Sequence, residues 1–289
     1  MKFDKITIES KELIDSYIRD LRILTSDYAV PVILTWDNLK EPEVCEEDNA
    51  LYIRGYLDGR RIYFPPLTKI NFKDAVDRLG NYIDSIGEEF EIILAIKEQI
   101  DQLEQDKYDF VTNRDYAEYV YLSSDLINLV GKKYHAKRNH IHKFNSLYKY
   151  EFRSFQPKDY DGIINLLNDW ALSRNENPDY EIKMIKYFFE NMIELGVFAD
   201  VIIINGKVVG TSIGECSNPD MGIVMYEKCD FQYEGICSSI NQMFSEKHFT
   251  GVKYINRQED IGIIGLRKAK ESYYPDKLVY RWTIKRKGN

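Results

Sequence analysis

The stretch VFADVIIINGKVVGTSIGECSNPDMGIVMYEKCDFQYEGIC, residues 197–237, reads as three strands and the entry to a helix. Val197 to Ile204, Val208 to Glu215 and Gly222 to Lys228 are rich in β-branched residues and bounded by turn residues. Asn205-Gly206 supplies the two positive φ angles that a tight antiparallel hairpin requires. Gly235 then precedes a helix expected over Ile236 to Lys247. Upstream lie a strand, Tyr150 to Phe155, and two helices. One covers Asp159 to Leu172 and buries Ile163, Leu166, Leu167 and Trp170; the other covers Tyr180 to Leu195. Downstream, Val252 to Asn256 reads as a strand, Ile263 to Ser272 as a helix, and Leu278 to Ile284 as strand.

The first half alternates in the same way. Pro31 to Trp36, Ala50 to Tyr56 and Arg61 to Phe64 read as strands, with Asp58-Gly59 turning between the last two. Asn71 is placed to cap a helix in which Phe72, Ala75, Val76, Leu79, Ile83 and Ile86 recur at helical spacing, with Gly87 beyond its end. Glu91 to Ile96 reads as a strand and Lys97 to Gln105 as a helix. Tyr108 to Val111 and Tyr116 to Leu122 read as further strands, and a short helix after Ser123 ends at Gly131. The polar run from Lys132 to Tyr148 lacks Gly and Pro and predicts a connecting helix. The expected organisation is α+β: residues 1–130 as one half, 131–148 as the connecting basic helix, and 149–289 as a second half.

The chain has 289 residues and a formal charge of -8. Its 22 Tyr, 14 Phe and 3 Trp are too much aromatic surface for a disordered chain. No apolar run reaches the length of a membrane span, and MKFDKITIES has no apolar signal core. Cys45, Cys216, Cys229 and Cys237 form no C-x-x-C pair, which predicts reduced thiols and a cytoplasmic location. The acidic run Cys45 to Asp48 reads as a solvated loop. The charge is unevenly distributed. Residues 1–128 and 156–250 carry -12 and -8, whereas 129–155 and 251–289 carry +6 each. Two short basic blocks on an acidic body would concentrate an anionic ligand if folded together, while a general DNA binder would be basic overall.

The order of elements from residue 150 resembles the GNAT acyltransferase fold. In that family a Q/R-x-x-G-x-G/A loop at a helix start binds the pyrophosphate of an acyl carrier. Gln232, Gly235, Ile236 and Cys237 occupy that place here, with Glu234 and Cys237 departing from the pattern. Ala269 and Tyr273 match the family's spacing for a tyrosine that protonates the leaving group. Between them, Asn256-Arg257-Gln258-Glu259-Asp260 ends a strand and leads to Arg267 and Lys268. Arg257 suits a phosphate or carboxylate, and Glu259 or Asp260 an amine or its proton. His135, His140 and His142 lack the companions of a zinc site, so no metal is expected. Lys133, Lys137, Arg138 and Asn139 are the better candidates, for phosphate contacts.

Together, YVYLSSDLINLVGKKYHAKRNHIHKF (119–144) and YINRQEDIGIIGLRKAKESYYP (254–275) strongly resemble a bacterial family similar to the C-terminal domain of phosphatidylglycerol lysyltransferase. The resemblance spans essentially the whole chain. It implies a tandem GNAT fold related to the Fem-type aminoacyl-tRNA-dependent transferases, with those two segments facing one cleft. The membrane-bound lysyltransferases carry a multi-helix region before this domain; the 289 residues contain none, so transfer to a lipid is not expected. The function expected is transfer of an activated carboxyl group to an amine or hydroxyl by direct attack. The donor would be acyl-CoA or aminoacyl-tRNA, with no permanently bound cofactor. In this scheme Tyr273, Asp260 and Glu259 are catalytic. Asn256, Arg257, Arg267, Lys268 and the basic helix bind substrate, and Gln232, Gly235, Ile236 and Cys237 hold the donor. The alternatives are a non-catalytic GNAT-like protein that binds a small anionic metabolite, and a plain N-acetyltransferase using acetyl-CoA.

Overall fold

Local chemistry sets the helix and turn boundaries, and long-range strand pairing then distributes the elements between two sheets. The computed structural model describes residues 1–288, the side chain of Ser217 excepted. The chain begins with β1 (Asp4–Lys5), α1 (Lys11–Leu21), α2 (Val30–Thr35), β2 (Leu39–Glu47), β3 (Ala50–Leu57), β4 (Arg60–Tyr63) and β5 (Leu67–Thr68). It continues with α3 (Phe72–Ser85), β6 (Glu91–Ala95), α4 (Lys97–Ile100), β7 (Tyr108–Thr112), β8 (Glu118–Leu122), α5 (Ser123–Asn128) and α6 (His135–Leu147). Then come β9 (Glu151–Ser154), α7 (Tyr160–Arg174), α8 (Asp179–Glu190), α9 (Met192–Leu195), β10 (Phe198–Ile204), β11 (Lys207–Asn218) and β12 (Met221–Cys229). The last elements are α10 (Ile236–His248), β13 (Tyr254–Asn256), α11 (Ile264–Glu271), β14 (Lys277–Val279) and β15 (Trp282–Arg286). Among the described residues, no helix is long and apolar enough to cross a membrane.

The chain forms two compact units that are not contiguous in sequence. The first comprises residues 1–119, 259–268 and 278–288; the second comprises 120–258 and 269–277. In the first, the sheet order is β1-β2-β3-β4-β6-β15-β7, with β5 paired to β3. All pairings are antiparallel except β4 with β6. The strand nearest the C-terminus, β15, therefore sits between two strands from residues 91–112, with Trp282 opposite both Ala95 and Thr112. Asn71 caps α3 by accepting from Asp74 N, and Phe72, Ala75, Val76, Leu79 and Ile83 enter the core beside Tyr52, Tyr63, Ile92 and Ile284.

The second sheet runs in the order β14-β8-β13-β12-β11-β10-β9, with β12 and β13 parallel. Asn205 and Gly206 have φ of 51° and 79°, the hairpin that their sequence predicts. α7 and α10 pack on β11 and β12, and α5 and α6 lie against α10. Phe144 of α6, Ile202 and Ile204 of β10, Val209 of β11, and Ile236 and Ile240 of α10 share one buried cluster.

Several expectations are corrected. Where Pro31 to Trp36 is expected as a strand, Val30–Thr35 is helical, because Pro31 in the first turn presets a helical φ, and Val30, Pro31 and Ile33 are all buried. Cys45 to Glu47 belongs to β2 rather than to a solvated loop, with Cys45 buried and Glu46 accepting from the Tyr17 hydroxyl at 2.8 Å. The helix expected over 97–105 ends at Ile100, and the one over 180–195 breaks at Asn191. α1 has no counterpart in the sequence reading, although Ile14, Tyr17 and Ile18 mark its buried face. The four cysteines are not all reduced: Cys229 and Cys237 form a disulfide, leaving Cys45 and Cys216 free. The end of β12 and the start of α10 meet in space, which a search for C-x-x-C spacing does not detect.

Candidate functional site

Within the second unit, five elements bring polar side chains to one buried place. On α10, Ser238, Asn241 and Ser245 fall at spacings of three and four, so a polar stripe lies on a buried helix face. Glu227 of β12 accepts from Asn241 Nδ2 at 3.2 Å and from Arg257 Nη2 at 3.0 Å. Arg257 leaves β13 with its guanidinium 5.0 Å from the Tyr273 ring centroid and 5.9 Å from that of Tyr121. Its Nη1 is buried without a hydrogen-bond partner. The Lys270 ammonium donates to the Arg257 and Gln258 carbonyls, and Asn256 Oδ1 accepts from Gln258 N at 2.7 Å. These contacts hold the strand exit and aim Arg257.

Tyr273 is buried, and its hydroxyl donates to Ser238 Oγ at 3.5 Å. Burial raises the phenol above its ordinary pKa, so it keeps its proton at neutral pH. From α6, Lys137 reaches across the ring, its Nζ 3.8 Å from the centroid and 2.7 Å from Ser272 Oγ, to which it donates. Burial, and then the Arg257 charge, push this amine down to about 8. The cluster thus combines a protonated phenol, an amine that exchanges its proton near neutrality and a guanidinium with one unused donor. Such a set can accept a proton, deliver one and stabilise developing negative charge.

In the first unit, Asp260 is fully buried and saturated. It accepts from Tyr119 Oη at 2.5 Å, Arg114 Nη1 at 3.2 Å, Arg267 Nε at 2.9 Å and Nη2 at 2.8 Å, and Gly262 N at 2.9 Å. The Arg267 hydrogen bonds hold its carboxyl well below the usual carboxylate range. Arg267 also binds Asp115 at 2.7 Å. Nearby in sequence, Glu259 pairs with Arg281 Nη2 at 3.1 Å, and Arg281 pairs with Asp27 at 2.6 Å. Burial pushes the Asp27 carboxyl above its ordinary range despite that arginine.

A family model for the C-terminal region of phosphatidylglycerol lysyltransferase matches residues 19–285. The chain belongs to that family. A solved protein of unknown function from Bacteroides thetaiotaomicron is 28% identical, with a TM-score of 0.93, covering 99% of this chain and 100% of that one. The structure of L-PGS from Bacillus licheniformis is 13% identical, with a TM-score of 0.67 over 96% and 92% of the two chains. FemX is 9% identical, with a TM-score of 0.63 over 98% and 97%. The fold is α+β with two mixed sheets, of the tandem GNAT and Fem type.

In this member of the lysyltransferase C-terminal family, the basic helix and the segment after residue 268 do meet. Lys137 lies on Tyr273, and Tyr134 Oη donates to the Tyr273 carbonyl at 2.9 Å. The rest of the expected phosphate helix is otherwise engaged. Lys133 pairs with Asp125 at 3.0 Å, Arg138 donates to the Leu129 and Gly131 carbonyls, and Asn139 contacts His135 at 3.1 Å. Asp260 does not fit the proton-accepting role expected of it, because its oxygens are already occupied and its basicity is low. Glu259 is bound to Arg281, Arg267 belongs with Asp260, and Lys268 is exposed.

α6 packs against the Gly235 end of the donor loop, while Gln232 and Glu234 remain exposed. Glu234 N donates to Tyr148 Oη at 3.3 Å, Glu234 pairs with Lys143 at 2.7 Å, and Gln232 N donates to Asp230 Oδ1 at 3.0 Å. Ile236 is buried, and Cys237 is in the disulfide. Gly235 has φ 87°, and a Cβ there would lie 2.1 Å from the His140 carbonyl oxygen. Gly235→Ala is therefore expected to destabilise the second unit by about 2 kcal/mol or more, through a left-handed backbone and a backbone clash together. Chemical denaturation checks this, and an unchanged midpoint would refute the close approach of α6. The sequence reading missed Glu227, Ser238 and Asn241. The i, i+3, i+7 polar spacing at 238, 241 and 245 was the available signal.

Proposed function

We propose that the chain is an acyl or aminoacyl transferase whose working groups are Tyr273, Lys137 and Arg257. The observation that carries this reading is the meeting of the buried Tyr273 phenol, the Lys137 amine that burial makes less basic, and the Arg257 guanidinium, whose Nη1 is buried without a hydrogen-bond partner. An acceptor amine or hydroxyl attacks the carbonyl carbon of an activated ester or thioester. Lys137, in its neutral form, takes the acceptor's proton; Arg257 Nη1 stabilises the oxyanion; and Tyr273, oriented by Ser238, protonates the departing oxygen or sulfur. No covalent enzyme intermediate is required. The family's name supports transfer of an aminoacyl group. The cover that α6 places over the start of α10 weighs against a coenzyme A pyrophosphate at that point, and so favours an aminoacyl ester as donor.

The test is a thermal-shift panel of coenzyme A, acetyl-CoA, aminoacyl-adenosine analogues and charged tRNA, followed by transfer assays with the donors that bind. Stabilisation by the aminoacyl compounds, with labelled product from charged tRNA, is expected. Stabilisation by acetyl-CoA alone would move the assignment to acetyl transfer. Binding of a small anion without turnover would favour the non-catalytic reading, for which the close approach of α6 to Gly235 and the charge of Glu234 are the supporting features.

A further inference from the structure

The disulfide lies next in the chain to the two residues that position the proposed working groups. Cys229 ends β12, two residues beyond Glu227, which holds Arg257. Cys237 is in the first turn of α10, next to Ser238, which receives the Tyr273 hydroxyl. One covalent bond therefore ties the strand that orients the guanidinium to the helical turn that orients the phenol. The other restraints on the side chains of residues 230–234 are the packing of Tyr233 against the core cluster of Phe144, Ile236 and Ile240, and polar contacts at the two ends of the loop. Lys207 reaches Asp230 at 3.4 Å, Lys143 reaches Glu234 at 2.7 Å, and the Tyr233 ring meets the Tyr148 ring at 5.2 Å. The Lys143–Glu234 pair is exposed and restrains the loop weakly.

We propose that the Cys229–Cys237 disulfide is a redox latch that sets the geometry of the Tyr273–Arg257–Lys137 site. Oxidised, it holds the ends of the loop and the two positioning residues, Glu227 and Ser238, in register. A dithiol reductant opens it. A reductant thiolate attacks Cys237 Sγ, the less buried sulfur, and the S–S bond breaks. Cys229 leaves as a thiolate and takes a proton. The second reductant thiol then closes on the mixed disulfide and releases Cys237. Two electrons and two protons pass to the protein, leaving two thiols and an oxidised dithiol. The inference takes its site from the transferase reading, but its structural readouts do not depend on catalysis.

The experiment compares the full chain, oxidised and after dithiothreitol, in a Cys45→Ala, Cys216→Ala background so that only this pair responds. Hydrogen exchange by mass spectrometry and titration of the Lys137 amine by its labelling rate are followed alongside transfer. Reduction is expected to speed exchange over 230–241 by about tenfold or more while the sheet stays protected. The Lys137 titration should move up toward an ordinary lysine, and kcat should fall about tenfold with KM little changed. The Cys229→Ser, Cys237→Ser double variant should match the reduced state and ignore dithiothreitol. Unchanged exchange and an unmoved Lys137 titration would overturn the latch. So would general loss of protection across 120–258, which would make the bond a structural staple. If neither redox state transfers anything, the transferase reading fails, while exchange and titration still decide the latch.

Discussion

Asp260→Ala is expected to lower stability by about 2–3 kcal/mol, not merely to abolish activity in an intact fold. Removing one member of a buried, hydrogen-bonded ion pair commonly costs about 3–5 kcal/mol, because the partner charges are left without compensation. The lower figure applies here because Arg114 and Arg267 each keep roughly a quarter to a third of their side-chain surface exposed and can recruit water. Tyr119 and Gly262 N would also lose their acceptor. The pH dependence has a definite sign. The folded-state carboxyl titrates below its unfolded value, so its contribution is present above about pH 4 and is lost as pH falls toward the folded pKa. Asp260→Asn should flatten that acid limb. Chemical denaturation of wild type and both variants between pH 2 and 7 is the measurement. Wild-type stability in Asp260→Ala would show that the carboxylate anchors nothing.

The second large effect is expected at Lys137. Lys137→Met keeps the aliphatic stem and removes the amine, and should lower kcat by about 10²- to 10³-fold, the usual weight of a positioned acid–base group. Folding should be retained, since Lys137 is half-buried and its hydrogen bond is to the Ser272 hydroxyl. Wild-type activity should rise with pH through about 8, as the amine loses its proton, and that limb should vanish in the variant. Arg257→Gln supplies an independent check. Removing the neighbouring positive charge and exposing Lys137 to unpaired Glu227 both raise the amine pKa, so the limb should move to higher pH as kcat falls. Full activity in Lys137→Met, or a pH profile identical to wild type, would remove the amine from the mechanism.

Arg257 and Lys137 were readable as candidates from the polar and basic composition of their segments, and Tyr273 from its spacing after Ala269. Their grouping was not readable. Lys137 and Tyr273 are 136 positions apart in sequence, and Arg257 finds Glu227 through the parallel pairing of β12 with β13. Asp260 illustrates the opposite failure. An Arg, Glu and Asp cluster at a strand exit suggests chemistry, but Tyr119, Arg114 and Arg267 convert its carboxylate into an anchor. Local composition reports which charges are present, not which of them the fold neutralises.

The amino-acid sequence by itself determined the elements whose causes are local. Asn71 starts α3, Asn205-Gly206 turns β10 into β11, and the spacing of apolar residues marks α7 and most of α10. These depend on φ preferences, capping and periodicity within a few residues. Only the tertiary structure decided that β15 joins the sheet of residues 1–119, that α6 covers the start of α10, and that Cys229 bonds to Cys237. It also decided that Lys137 loses basicity on the face of Tyr273. Pairing, burial and the interaction of like charges depend on distances in space, and chain order does not contain those distances.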